Sequence, residues 1–200
     1  MKRIILILTA IAAVQFSFAQ QDFKTYVATA KTSYSSGKLE DAHFALQQML
    51  QDVEITIGKE VIKLLPQKMD TLQADAKQDN VTGNIGFVGA TIHRTYGSMG
   101  HTAELDIINN SPLLGSLNAL LTTPMLGGLM NDGKSKTVKV QGYKARLEKE
   151  DSGDPQMPDY KLEIPFNNAL VTFKMQKTTD TQILNLADTL PLQQIAKLIQ

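Results

Sequence analysis

Between Gly86 and Pro124 the chain reads GFVGATIHRTYGSMGHTAELDIINNSPLLGSLNALLTTP, and its first two-thirds bury one side only as a β-hairpin. Phe87, Ala90, Ile92 and Tyr96 sit between polar or small neighbours, and Ala103, Leu105 and Ile107 alternate with Thr102, Glu104 and Asp106. That two-residue period is the mark of half-buried strands. Gly97-Ser98-Met99-Gly100 between the arms supplies the positive φ that a tight reversal needs. The second arm ends at Asn109-Asn110-Ser111-Pro112, where Pro112 has no N–H for a ladder but suits a first helical turn, with Ser111 as its N-cap. Leu113, Leu114, Leu117, Leu120 and Leu121 then recur at helical spacing, so a short helix is expected to cover the apolar face of the sheet.

Upstream the period is helical. Phe23, Val27, Ala30 and Tyr34 mark one face of a first helix, which Ser35-Ser36-Gly37-Lys38 interrupts. Leu39, Ala42, Leu46, Leu50, Val53, Ile57, Val61 and Leu64 mark a second, ending before Pro66. Gly58 inside it costs about 1 kcal/mol relative to alanine and suggests a bend. The two form an antiparallel helical hairpin over residues 21–66. Residues 67–82 are polar and charged, with few apolar side chains, and are expected to link this hairpin to an α+β sheet domain at 83–200.

That domain continues through a loop at Gly127–Gly133 into strands at Thr137–Val140, Tyr143–Leu147, Tyr160–Ile164 and Ala169–Met175. Their turns fall at Gln141-Gly142, at Asp151–Asp159 and at Asn167-Asn168. A terminal amphipathic helix follows from Thr181 to Ile199, interrupted near Pro191. Strands in succession with helices set to one side give a mostly antiparallel sheet of the α+β class.

Lys2 and Arg3 precede an apolar run from Ile4 to Phe18, and Ser17-Phe18-Ala19 places small residues where signal peptidase cuts. Residues 1–20 therefore read as a secretory signal peptide, too short in its apolar core for a span of roughly 20 residues. The expected product is exported, soluble, and periplasmic or extracellular, with no stable membrane span after cleavage. The chain has no cysteine, which removes disulfides, thiolate metal sites, a cysteine nucleophile and a lipid-modified form. Beyond the signal the formal charge is 18 − 20 = −2, which gives no electrostatic reason to expect nucleic acid.

The succession of Leu64-Leu65-Pro66, a glycine-rich first strand, Arg94-Thr95-Tyr96, Ser111-Pro112-Leu113-Leu114, Thr123-Pro124-Met125 and Gln141-Gly142-Tyr143-Lys144-Ala145 resembles an uncharacterised family of small exported bacterial proteins. It covers nearly all of the chain after the signal. The sheet domain of that family is similar to the Mog1/PsbP sandwich, so the resemblance implies a helix hairpin followed by a Mog1/PsbP-like α+β domain. It also implies a non-enzymatic binding or assembly role.

The residues carry little catalytic chemistry. No G-x-S-x-G elbow, phosphate loop or dinucleotide fingerprint occurs, and no serine has a histidine and an acid at triad-family distances. Glu104 with Asp106, and Glu148 with Glu150, are strand acids spaced as a solvated face. His93 and His101 would face one another across the hairpin in a metal site, but strict alternation sets His101 with Ala103 and Leu105, away from Glu104 and Asp106. No metal, no cofactor and no enzymatic activity are expected. Arg94 shares a face with Ile92 and Tyr96, which makes it half of an inward ion pair, an exposed strand arginine or a clamp for an anion. Leu117, Leu120, Leu121, Met125, Leu126, Leu129 and Met130 exceed what one helical stripe needs, so this segment either packs wholly on the sheet or the terminal helix or leaves part of its surface open as a groove. Two functions follow. One is an interaction or assembly module that binds another envelope or secreted protein through an exposed apolar stripe or a sheet edge. The alternative is a carrier whose cavity, lined by Leu117, Leu121, Met125 and Met130 with Arg94 and Tyr96 as further ligand-binding candidates, takes a small apolar or anionic ligand.

Overall fold

The structure is a computed structural model that describes residues 22–83, 89–98, 100–122, 133–154 and 156–199. The expected signal peptide, Phe87, most of the loop after the leucine-rich helix, Met125 and Met130 lie outside the described residues. The chain divides into two compact units between Glu54 and Ile55, a point inside its longest helix rather than at the expected boundary after Pro66.

In the first unit, helix α1 (residues 22–35) reverses into the opening half of α2 (Leu39–Leu64). The reversal is a Schellman closure: Lys38 N–H bonds to the Ser33 carbonyl at 2.9 Å and Gly37 N–H to that of Tyr34 at 3.1 Å. It requires a left-handed residue, and Gly37 supplies it at φ 76°. The buried faces differ from the expected ones. Ser33, Ala42 and Ala45 are buried and Phe23, Tyr26 and Ala30 half-buried, whereas Val27 is exposed and Tyr34 is 72% exposed. Small side chains let two helices approach closely, and that approach leaves the larger residues of the neighbouring stripe outside.

The second unit is built on a seven-stranded, fully antiparallel sheet. Its strands are β3 (Asn80–Gly83), β4 (Ala90–Ser98), β5 (His101–Asn109), β6 (Ser135–Val140), β7 (Tyr143–Glu150), β8 (Asp159–Phe166) and β9 (Ala169–Met175), in the order β3-β4-β5-β9-β8-β7-β6. The expected linker is a correction. Residues 67–82 carry a two-stranded ladder of β1 (Lys68–Met69) and β2 (Leu72–Gln73), a bridge from Ala74 to Tyr96, and the edge strand β3. Met69 and Leu72 are buried, so a few apolar residues in a polar stretch sufficed.

One face of the sheet is the core. Ile92, Leu105, Ile107, Leu147, Leu162 and Phe173 pack there with Val61 and Leu65 from the end of α2. Ile183 and Leu186 from helix α4 (Asp180–Ala187) and Ile195 from α5 (Leu192–Leu198) complete it. Thr179 caps α4 by accepting the Gln182 N–H at 3.2 Å, and the interruption falls at Pro191 as expected. Gln141 and Gly142 take φ 49° and 89° in the β6–β7 turn, the primed geometry that matches strand twist. The Gln141 amide then donates to the carbonyls of Asp188 and Leu190, fastening that turn to the end of α4.

The leucine-rich helix α3 (Leu114–Thr122) is a second correction. Leu117 and Leu121 pack on Leu170, whose side chain alternates away from Val171 and Phe173, so α3 lies across the opposite face from the core. Ile108 and Pro165 flank Leu170 in the register and make that end of an otherwise polar face apolar enough to hold a helix. Leu113 is left exposed.

Candidate functional site

Alternation along β4 divides its chemistry between the two faces. Arg94 and Tyr96 point into the core with Ile92, while His93 and Thr95 point to the polar side.

The Arg94 side chain is 2% exposed. Its Nε and Nη2 donate to the two carboxylate oxygens of Asp79 at 2.8 and 2.5 Å, and its Nη1 donates to the Leu65 carbonyl at 3.1 Å. The hydrogen bonds it donates to Asp79, opposed by burial, raise the guanidinium above its already high pKa. The fork that would clamp an anion is closed on Asp79, so the inward ion pair is the arrangement found. Tyr96 is buried beside it. Burial pushes its phenol up to about 12, against the lowering influence of the Arg94 charge, and among the described residues its hydroxyl has no hydrogen bond of good geometry.

On the polar side, the β4–β5 register sets His93 opposite Asp106. His93 Nδ1 lies 2.7 Å from Asp106 Oδ1, and Nε2 lies 3.1 Å from Thr95 Oγ1. His101 pairs with Ser98 beside the turn, so the two histidines do not meet. Among the described residues no group of three His, Asp or Glu side chains is placed to hold a metal ion. Carboxylate, imidazole and hydroxyl stand in the order of a hydrolase triad. However, Thr95 is buried and Glu104 is its cross-strand partner, so an oxyanion forming there would meet a carboxylate rather than a donor.

Further across this face Arg146, Glu148, Lys161 and Glu163 close a ring of four charges. Arg146 Nη1 is 3.0 Å from Glu148 and 3.2 Å from Glu163, and Lys161 Nζ is 2.8 Å from Glu148 and 3.9 Å from Glu163. Burial acts to raise the Glu148 carboxyl, but the close Lys161 ammonium and the Arg146 charge together hold it below the ordinary glutamate value. Lys161 is raised: burial opposes, and the close Glu148 carboxylate with the surrounding acids prevails.

The six candidate residues are not brought together. Arg94 and Tyr96 lie on the core face and Leu117 and Leu121 on the other, with the sheet between them, while Met125 and Met130 lie outside the described residues.

The first unit carries an apolar stripe on α2 of the kind the interaction-module reading expected. Leu39 (62% exposed), Leu46 (55%), Leu50 and Val53 stand exposed on α2, at spacings of seven, four and three residues. They form one row about 21 Å long at 1.5 Å per residue. The signal available was slight: on the helical wheel Ala42 borders this row, within about 20° of Val53, and only Ala45 lies clearly to one side of it.

No protein-family model, curated protein or solved structure matches the chain. Among the described residues no helix is long and apolar enough to cross a membrane.

Proposed function

We propose that this is a non-enzymatic exported protein, periplasmic or secreted, whose helical first unit docks an amphipathic helix of another envelope or secreted protein. The observation that supports the reading is the exposed row of Leu39, Leu46, Leu50 and Val53. A row of large aliphatic side chains held in water is unfavourable, and such surfaces on folded proteins mark interaction sites. Its alternating spacing suits helix-on-helix packing, in which knobs from a partner seat between residues three and four apart. The family resemblance, with its binding and assembly roles, points the same way.

A photocrosslinking residue at position 46, introduced in the cells that make the protein, tests this. One recurrent adduct with a different protein is expected, disappearing when Leu50→Glu is added. The adjacent exposed position 47 should give none. Equal adducts from both positions, or none from either, would remove the reading; an adduct of twice the chain mass would replace the partner with a second copy.

A further inference from the structure

We propose that the outer edge of β6 receives an extended acidic segment of another protein as an eighth strand of the sheet. This surface is separate from the apolar row on α2 and concerns the second unit alone.

Strand β6 ends the sheet order. The Lys149 N–H donates to the Lys134 carbonyl at 2.7 Å, which sets the phase of the ladder. Counting along the register from that bond, Lys136, Val138 and Val140 exchange hydrogen bonds with β7, and the N–H and C=O of Thr137 and Lys139 point away from it. Neither residue has a backbone partner beyond β6 among the described residues. An incoming strand would find two donors and two acceptors already in line.

Charge selects the occupant. Residues 133–150 hold six basic side chains and two acidic ones, 6 − 2 = +4, while the rest of the chain from residue 21 carries 12 − 18 = −6. Lys139 and Lys149 are exposed and outside every ion pair among the described residues. Lys136 is engaged with Asp180, and Lys144 reaches the Leu121 carbonyl at 3.3 Å. A groove of about 250 Å³ beside the start of the strand is walled by Lys134, Lys136, Lys149 and Tyr160. Lysines on an edge repel a second copy of the same edge. The same charges attract a strand of glutamates and aspartates, which argues for an acidic segment and against self-pairing. Lys139 stands on one face of the strand and half-buried Val138 on the other, beside Lys134 and Lys136, so a segment that sets acidic residues along the Lys139 face and an apolar one against Val138 fits the edge.

Fluorescence anisotropy with the labelled octapeptide Glu-Val-Glu-Thr-Glu-Val-Glu-Thr measures the interaction on the full chain after the signal. The peptide should bind, more weakly as salt rises. Lys139→Glu and Thr137→Pro should each weaken it by about tenfold or more. Thr137→Pro removes one outward N–H and leaves the bonds to β7 intact. The same peptide with alternate backbone amides methylated should lose as much on the unaltered protein, which covers the case of a proline variant that does not fold. Equal binding of the methylated peptide, or no binding of either form at millimolar concentration, would overturn the proposal. So would binding to phosphatidylglycerol vesicles that survives Thr137→Pro and displaces the peptide, since the edge would then be a charged surface for lipid.

Discussion

Asp79 carries more of the second unit's stability than an edge-strand flank ordinarily does. Replacing it with alanine leaves the Arg94 guanidinium buried with only the Leu65 carbonyl, and breaking a buried pair on one side costs about 3–5 kcal/mol. The urea midpoint of Asp79→Ala should fall accordingly, and the double substitution Arg94→Met with Asp79→Leu should recover most of the loss, because no charge then remains unpaired. Tyr96 beside the pair makes an alkaline prediction. Its folded pKa, about 12, lies above its ordinary value of about 10, so between those values the unfolded chain has given up a proton that the folded chain keeps. Stability therefore falls as pH rises through that window, by on the order of 2 kcal/mol. Tyr96→Phe should flatten the fall in denaturation curves at pH 9.5 and 11.5 while changing little at pH 7. Alternation along β4 made the inward course of Arg94 legible. Its partner was not, because Asp79 lies fifteen positions away in a stretch whose polarity read as a linker.

At the scale of elements, Gly58 illustrates what local propensity leaves out. In sequence it is a weak point of a helix and a place to bend; in the structure α2 runs unbroken through it, and a β-carbon there would lie 2.5 Å from Val81 Cγ1 and 3.2 Å from Ile92 Cγ1. The glycine is where the helix crosses β3 and β4 closely. Gly58→Ala gains about 1 kcal/mol of helix propensity and meets an overpacking cost of about 1–3 kcal/mol, so a net loss of about 1 kcal/mol is expected. Adding Val81→Ala should turn that loss toward a gain relative to Val81→Ala alone, as read from paired thermal melts. Strand positions were largely legible because period two is a local property: Ala169–Met175 has the bounds the pattern implies, and the hairpin turn falls where Gly97 and Gly100 place it. Helix faces were less so. The row on α2 and the side on which α3 lies depend on which neighbour a helix meets, and a helix with two apolar stripes does not encode that choice locally.

For the molecule as a whole, antiparallel pairing and segregated helices followed from the succession of periods. The placing of β5 beside β9 did not, since it joins residues sixty or more positions apart. That pairing leaves one sheet face polar, and the four-charge ring is the part of it that links β7 to β8. The ring's pH dependence has a definite sign. Glu148 is depressed in the folded chain, so its contribution is complete above the ordinary glutamate value of about 4.3 and is lost as pH falls through the lower folded value. Lys161 is raised, so its contribution is complete below about 10.4 and is lost as pH climbs through the folded value. The alkaline limb overlaps the titration of Tyr96, which leaves the acid limb as the clean measurement. Urea unfolding of the parent at pH 7, 5, 4 and 3 should show a decline beginning near pH 4.5, whereas Glu148→Gln should start about 1 kcal/mol lower at pH 7 and decline less. Equal slopes for the two proteins would mean that Glu148 titrates alike in both states, and the ring would then be a surface arrangement without consequence for folding. A shallower slope in the variant, narrowed further when 1 M sodium chloride weakens the parent's ion pairs, would identify the ring as the element that holds the open face of the sheet together.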